Sequence, residues 1–401
     1  MNERKVYSIN YGLLKDFELS HIMNTIKPSN DYSIIKSYLG AIKASFLNRI
    51  SIERRGKNIA FLFSSCYQTR KDHLQRFRKV VNLFPDGLVI TPVQRLKISN
   101  VLYLPAFVQF LKSFQKSMSC KQGAYYAFCL YLTYIEAKCF IKYIEKSSIK
   151  KVVVFCDMHP VDNMVVQMCK KQGIKTYTLQ HGHYSKNSPA FVHSVSDVFL
   201  GFGSYTYNIA EKSGFDVSKF RSVGMMDLIG EEVPSKIVLS SNNSCLVILS
   251  GIVEEDISLL TLSEIVLVNG YKRVIKLHPG SDENSYAYDW NDEDSIITNQ
   301  RTIPQLFNQC DYQIVAGGST VFAEGVIKLF PSFIYDYKCK RYDGVQCLRF
   351  RNSEELMKHI YTLNSNPRVI EESMIITRKV ITEVEDINEK YIDAISRDGG
   401  F

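Results

Sequence analysis

No CxxC pair and no regular cysteine spacing occur in this chain, although it holds ten cysteines among its 401 residues. That pattern argues against a disulfide framework and predicts reduced, buried thiols in a cytoplasmic compartment. Also missing is any apolar run of the ~20 residues that a bilayer demands. The most apolar stretch, Ala124 to Ile135, is predicted to lie in a buried helix over roughly 105–148. Membrane association, where it occurs, is therefore expected to be peripheral, at the inner face of the cell membrane. The opening residues lack an apolar h-region, so no signal peptide is expected.

The common short motifs are absent too. Gly201-x-Gly203 lacks the third glycine of a dinucleotide fingerprint, and there is no GK[ST] loop. Gly317-Gly318-Ser319-Thr320-Val321 is not the GxSxG of a serine hydrolase. His181-x-His183 has no third ligand at useful spacing, so no metal is expected. Asp292-Glu293-Asp294 falls in an acidic loop away from any predicted strand end. Basic segments lack the interleaved aromatics of a nucleic-acid surface, and no nucleic-acid partner is expected.

What is present begins with charge. Residues 1–230 hold 32 Lys and Arg against 15 Asp and Glu, a net of +17, which leaves −9 for the remainder. Such asymmetry points to an anionic partner for the first half, an acidic glycan or an anionic lipid surface. Arg70, Lys71 and Arg76 lie on a basic helical segment able to hold a charged acceptor; a solvated face is the simpler alternative.

Strand and helix signals then alternate. Strands are predicted at 58–64, 87–91, 151–157, 174–180, 197–201, 245–249 and 272–277, with helices at 160–171, 204–212 and from Gly251 to Asn269. This rhythm predicts parallel, helix-covered sheets. On a prior of ~150 residues per domain the chain forms two, divided in the polar stretch at 225–243 into 1–230, with a helical N-terminal extension, and 231–401.

Asp311 to Asp336 carries the most information. It reads as a short apolar strand, a Gly317-Gly318-Ser319-Thr320 turn, a helix, and a second strand entered through Pro331. A helix that opens with unpaired N–H groups and two hydroxyls directly after a strand suits a phosphate. Gly317 and Gly318 allow close backbone approach. Glu324, a turn further in, is positioned to accept ribose hydroxyls or simply to be a solvated helix residue. Upstream, Pro279 restricts His278 to extended geometry and ends its strand. His278 therefore stands at a strand's carboxyl end, where ligands of open α/β sheets bind, with Lys276 on the same face. Gly251 follows another strand end. In the first half His181 also follows a strand, and an imidazole there suits a general base. Asp157, ending the neighbouring strand, is the rival base or an orienting partner.

Four segments in this order carry a resemblance: Leu179–Gly182 (LQHG), Ser222–Asp227 (SVGMMD), Lys276–Pro279 (KLHP) and Asp311–Gly325. The chain resembles GT-B glycosyltransferases of bacterial surface-polysaccharide assembly, in the clan of capsule sialyl- and Kdo-transferases and CDP-glycerol glycerophosphotransferases. It departs from the glycerophosphotransferases in having Gln180 where they have Trp, and it lacks the small residue and Pro after Gly224. The resemblance implies two Rossmann-like domains about an interdomain cleft. It implies donor phosphates bound by His278, Ser319 and Thr320, with Lys276, Pro279, Gly251, Gly317, Gly318 and Glu324 around them. His181 would be the cleft histidine; the sialyltransferase pattern favours an acidic base, hence Asp157. The implied activity moves a sugar, an acidic one from a CMP donor being one candidate, from a nucleotide-activated donor to a surface or lipid-linked glycan. The nucleotide sugar is a co-substrate, so no cofactor is implied. A polyol-phosphate transferase using a CDP donor and a nucleotide-sugar 2-epimerase are the alternatives.

Overall fold

The computed structural model describes residues 33–67, 71–96, 98–115, 119–237, 239, 241–278, 281–292, 294–297, 301–317, 319–337, 342 and 348–397. Arg70, Pro279 and Gly318 lie outside the described residues, as do residues 1–32.

The first part of the chain runs α1 (Ile34–Ser45), β1 (Leu47–Arg54), β2 (Asn58–Leu62), α2 (Lys71–Asn82), β3 (Leu88–Leu96), α3 (Leu104–Gln115), α4 (Cys120–Ile144), β4 (Ile149–Val154), α5 (Pro160–Lys171), β5 (Lys175–Leu179), α6 (Pro189–Val192), β6 (Val198–Gly201), α7 (Ser204–Lys212) and β7 (Phe220–Ser222). Its strands form one sheet in the order β1-β3-β2-β4-β5-β6-β7, parallel except where β1 runs against β3. Lys151–Val154 of β4 pairs on both sides, and Val152, Val153 and Val154 are fully buried, as helices on both faces of a parallel sheet require.

Beyond 223–243 come β8 (Ser244–Ile248), α8 (Val253–Val268), β9 (Lys272–Lys276), β10 (Ser295–Ile297), α9 (Ile303–Phe307), β11 (Tyr312–Ala316), α10 (Val321–Ile327), β12 (Ser332–Tyr335), β13 (Arg349–Phe350), α11 (Ser353–Ser365), α12 (Pro367–Ile381) and α13 (Ile387–Ser396). The second sheet is wholly parallel, in the order β10-β9-β8-β11-β12-β13. Each sheet reverses its winding once, between β2 and β4 in the first and between β8 and β11 in the second. Crevices open at such reversals, outside the carboxyl ends of the strands.

Two expectations are corrected. The predicted helix over 105–148 is two helices, because Ser119 accepts a hydrogen bond from Gln122 N at 3.4 Å and caps a fresh start at α4. The stretch before residue 57, read for helical periodicity, holds the edge strand β1 as well as α1. At the end of the acidic loop Asp294 makes a two-pronged ion pair with Arg273 of β9 at 2.7 Å on each oxygen, both side chains wholly buried. Arg273 also donates to Leu260 O and Ser263 Oγ, so its remaining protons are satisfied.

One apolar cluster lies between the first sheet and α1, α3, α4 and α5. A second covers the other face and continues across into the second sheet. Tyr342 is part of that continuity: its ring stacks on Tyr205 at 5.6 Å and lies 5.1 Å from His183 and 5.0 Å from Phe322. The C-terminal end returns to the first sheet, where Tyr391 donates to Gly224 O at 2.9 Å and Lys151 Nζ to Ser396 O at 2.7 Å. Among the described residues no helix is long and apolar enough to cross a membrane.

Candidate functional site

The second sheet brings three predicted strand ends side by side. Because β9, β8 and β11 are neighbours, His278, Gly251, Gly317, Ser319 and Thr320 share one edge at the reversal of winding. Gly251 has φ +83°, and a methyl group built on it would stand 2.9 Å from Cγ of His278. Glycine is needed here twice over, for the left-handed backbone and for room beneath the imidazole. Its N–H is already spent on Asp256 Oδ2 at 2.8 Å, and Ser250 N donates to Oδ1 at 2.7 Å. Gly251 thus contributes space rather than a donor. His278 is exposed, and Lys276 is buried behind it, with burial holding its ammonium below the ordinary range. Ser319 Oγ accepts from Val321 N at 3.3 Å, and Ser319 N donates to Ala316 O at 2.9 Å. Helix α10 has only seven residues, so its dipole is weaker than the sequence suggested.

The first sheet builds the facing wall. At its reversal the ends of β2 and β4 deliver Tyr67, Phe155, Cys156 and His159, and β5 delivers His181. The His181 ring lies 5.4 Å from that of His73, 5.6 Å from Phe155, 6.2 Å from Tyr67 and 6.3 Å from His159. Its Nδ1 is 3.0 Å from the Tyr184 hydroxyl, which fixes the orientation of the ring. Burial pushes His159 down to about 4. His183 is not part of this group; its ring packs 5.2 Å from Phe202 and against Tyr342.

Asp157 is fully buried and committed elsewhere. Its Oδ2 accepts from Ser194 Oγ at 2.9 Å and from the N–H groups of Val195 and Ser196 at 2.8 Å each. Burial raises the carboxyl and these donors pull it back. The group ties down the loop before β6. Beneath it, burial pushes Asp162 of α5 up to about 8. An acid with a raised folded-state value takes up a proton on folding, so it costs stability that grows as pH rises from about 4 towards 8. Asp162→Asn is expected to remove that slope, about 1.4 kcal/mol per pH unit at most. Denaturant midpoints compared at pH 5 and pH 8 check it: the variant should gain on the wild type as pH rises.

The two walls meet. A methyl group built on Gly182 would sit 3.8 Å from Cγ2 of Thr320, so the turn after His181 touches the start of α10. Beside that contact Arg76 of α2 bridges to Asp227 at 2.9 Å and to Glu324 of α10 at 2.7 Å. Burial raises the Glu324 carboxyl and the guanidinium opposes it; Arg76 is held above its own range by the two carboxylates despite burial. Lys79 reinforces the link through Glu231 at 2.8 Å. Arg76 and Glu324 were expected on the acceptor and the ribose respectively; here they hold each other. Lys71 opens α2.

Sequence reasoning overlooked His73, Tyr67 and Cys156 as neighbours of His181, and Asp227 and Glu324 as partners of Arg76. His159 was within reach, because Pro160 marks it as the residue that opens α5 on the carboxyl side of β4.

No protein-family profile and no curated protein sequence matches the chain. Solved structures do. The Neisseria meningitidis UDP-GlcNAc 2-epimerase bound to UDP-GlcNAc is similar over 84% of this chain and 100% of its own, with a TM-score of 0.52 at 13% identity. Anabaena HepE in complex with UDP and glucose gives 0.52 at 10% identity, over 85% of this chain and 99% of its own. The glycotransferase of kitacinnamycin gives 0.51 at 9% identity, over 85% and 99%. Identities this low establish the fold. The chain is an α/β protein of the GT-B class, with two Rossmann-like domains and a cleft between them. The fold is shared by glycosyltransferases and by UDP-GlcNAc 2-epimerases.

Proposed function

We propose that this protein is a GT-B glycosyltransferase that moves a sugar from a nucleotide-activated donor to a surface or lipid-linked glycan. One observation carries the reading: the winding reversals of both sheets open on one cleft, where the turn after His181 meets Thr320. The donor's phosphates sit against His278, Lys276 and the hydroxyls of Ser319 and Thr320. His181 takes the proton of the acceptor hydroxyl as its oxygen bonds to the activated sugar carbon. The bond from that carbon to the phosphate oxygen breaks, and the nucleotide leaves with the electron pair. Fixed donors of this kind contribute about 3–4 kcal/mol each to such a step. His181 is preferred to Asp157 because the latter's Oδ2 already accepts three hydrogen bonds.

The acceptor side suits a negatively charged or membrane-held glycan. Residues 1–230 carry the net +17, and α1 exposes Ile35 (71%), Leu39 (62%) and Ile42 (43%) alongside Lys36 and Lys43. An apolar stripe flanked by lysines fits peripheral contact with an anionic leaflet.

The epimerase remains the second reading, since an enzyme of that activity bound to UDP-GlcNAc shares the fold. Incubation with nucleotide sugars alone separates the two. The transferase reading expects the donor to persist until a glycan acceptor is added; an epimerised sugar without acceptor would overturn it. Thermal shifts with CMP, CDP, UDP and GDP then identify the donor: preference for CMP indicates an acidic sugar, and for CDP a polyol-phosphate or another CDP-linked group.

A further inference from the structure

The imidazole-rich wall groups His181 with two residues that sugar transfer does not use. The Sγ of Cys156 and one ring nitrogen each of His159 and His181 all lie within 4.8 Å of one another. One thiol and two imidazoles form a donor set suited to a borderline-soft divalent ion, and three protein ligands leave a fourth position for water or substrate. A rotamer adjustment of about 1 Å brings the three atoms to the ~2.0–2.3 Å bonds such an ion requires.

We propose that Cys156, His159 and His181 form a Zn2+-class metal site in the cleft wall, and that its occupation withdraws His181 from proton transfer. The second half of this statement rests on the glycosyltransferase reading above; the first does not.

Several observations support the site. The ligands come from the turns that follow two adjacent parallel strands, β4 and β5, at the carboxyl edge of the sheet. His159 stands at the N-cap position of α5 yet makes no side-chain cap; its ring instead lies 4.8 Å from Tyr67 and 6.3 Å from His181. The Tyr184 hydroxyl, 3.0 Å from Nδ1 of His181, supplies the outer-shell contact that ligating histidines commonly have. The Cys156 thiol is buried, with burial and then Asp157 pushing its titration up. Coordination releases its proton to solvent, and the ion's charge stabilises the thiolate in place of water.

The test uses the full chain and Co2+ as a spectroscopic stand-in for Zn2+. Titration of the wild type should give a one-to-one complex with a thiolate-to-cobalt charge-transfer band that Zn2+ displaces. Cys156→Ser should lose the band. His159→Gln, altered at a half-buried position, should weaken affinity by more than the ~10–100-fold that an outer-shell partner costs. Absence of the band in the wild type, or its persistence in Cys156→Ser, overturns the site. With the site in hand, Zn2+ should inhibit wild-type transfer reversibly by chelator and spare His159→Gln. Metal binding without inhibition would instead overturn the base role of His181 and leave the site standing.

Discussion

Replacing His181 with alanine is expected to lower sugar transfer by ~10²–10⁴-fold, the usual contribution of a positioned general base, while the protein stays folded. The ring lines the cleft as a half-buried side chain, so its loss opens space towards solvent rather than a void in the core. Asp157→Asn should behave in the opposite way. The neutral amide oxygen accepts more weakly than the carboxylate from Ser194, Val195 and Ser196, and the amide NH2 has to find an acceptor in a buried site, at about 1–3 kcal/mol of stability. Activity per folded molecule should survive in that variant. Initial rates and denaturation curves on both variants decide between the two residues. A folded but inactive Asp157→Asn beside an active His181→Ala would reverse the assignment.

The second large effect concerns Arg76. Substitution by methionine keeps the aliphatic stem but leaves Glu324 and Asp227 facing each other without their shared cation. Breaking a buried pair costs about 3–5 kcal/mol. Asp227 retains 32% of its side-chain exposure, so a value of about 3 kcal/mol is expected here. Because the guanidinium ties α2 of the first domain to α10 of the second, the loss should appear as weaker coupling of the two domains as well as a lower melting temperature. Arg76→Met combined with Glu324→Gln should recover part of the stability, since the stranded charge is gone. Arg368→Met, in an exposed helical pair with Glu372, should cost less than about 0.5 kcal/mol. Equal losses at Arg76 and Arg368 would show that the bridge between domains adds nothing.

The parts of this molecule that were readable in advance are those that depend on short range. Lys151–Val154, Lys175–Leu179, Lys272–Lys276 and Tyr312–Ala316 are β-branched or aromatic runs with clear stops, and each is a central strand. His278 could be placed at a strand end because proline follows it. Gly251 and Ser319 were chosen from turn chemistry, and the strand order then put them on one edge. β10 was missed because its three residues follow an acidic loop, and the buried carboxylate of Asp294 beside them is explained only by Arg273 on the neighbouring strand. The Arg76–Glu324 bridge spans 248 positions, and no local pattern encodes it. The Cys156–His159–His181 group was equally hidden. His181 and His183 share one short segment, but the His183 ring packs against Phe202 and Tyr342, and the group instead draws Cys156 and His159 from the turn after β4.

Calorimetric titration of the preferred nucleoside phosphate into wild type and His278→Ala tests the central claim most directly. The account predicts one site in the wild type and an affinity loss of about 10–150-fold in the variant, as expected for a hydrogen bond to a charged group worth about 1.5–3 kcal/mol. The melting temperature of His278→Ala without nucleotide should match the wild type, since the ring is exposed. Equal affinities in the two proteins would contradict a donor phosphate held against His278.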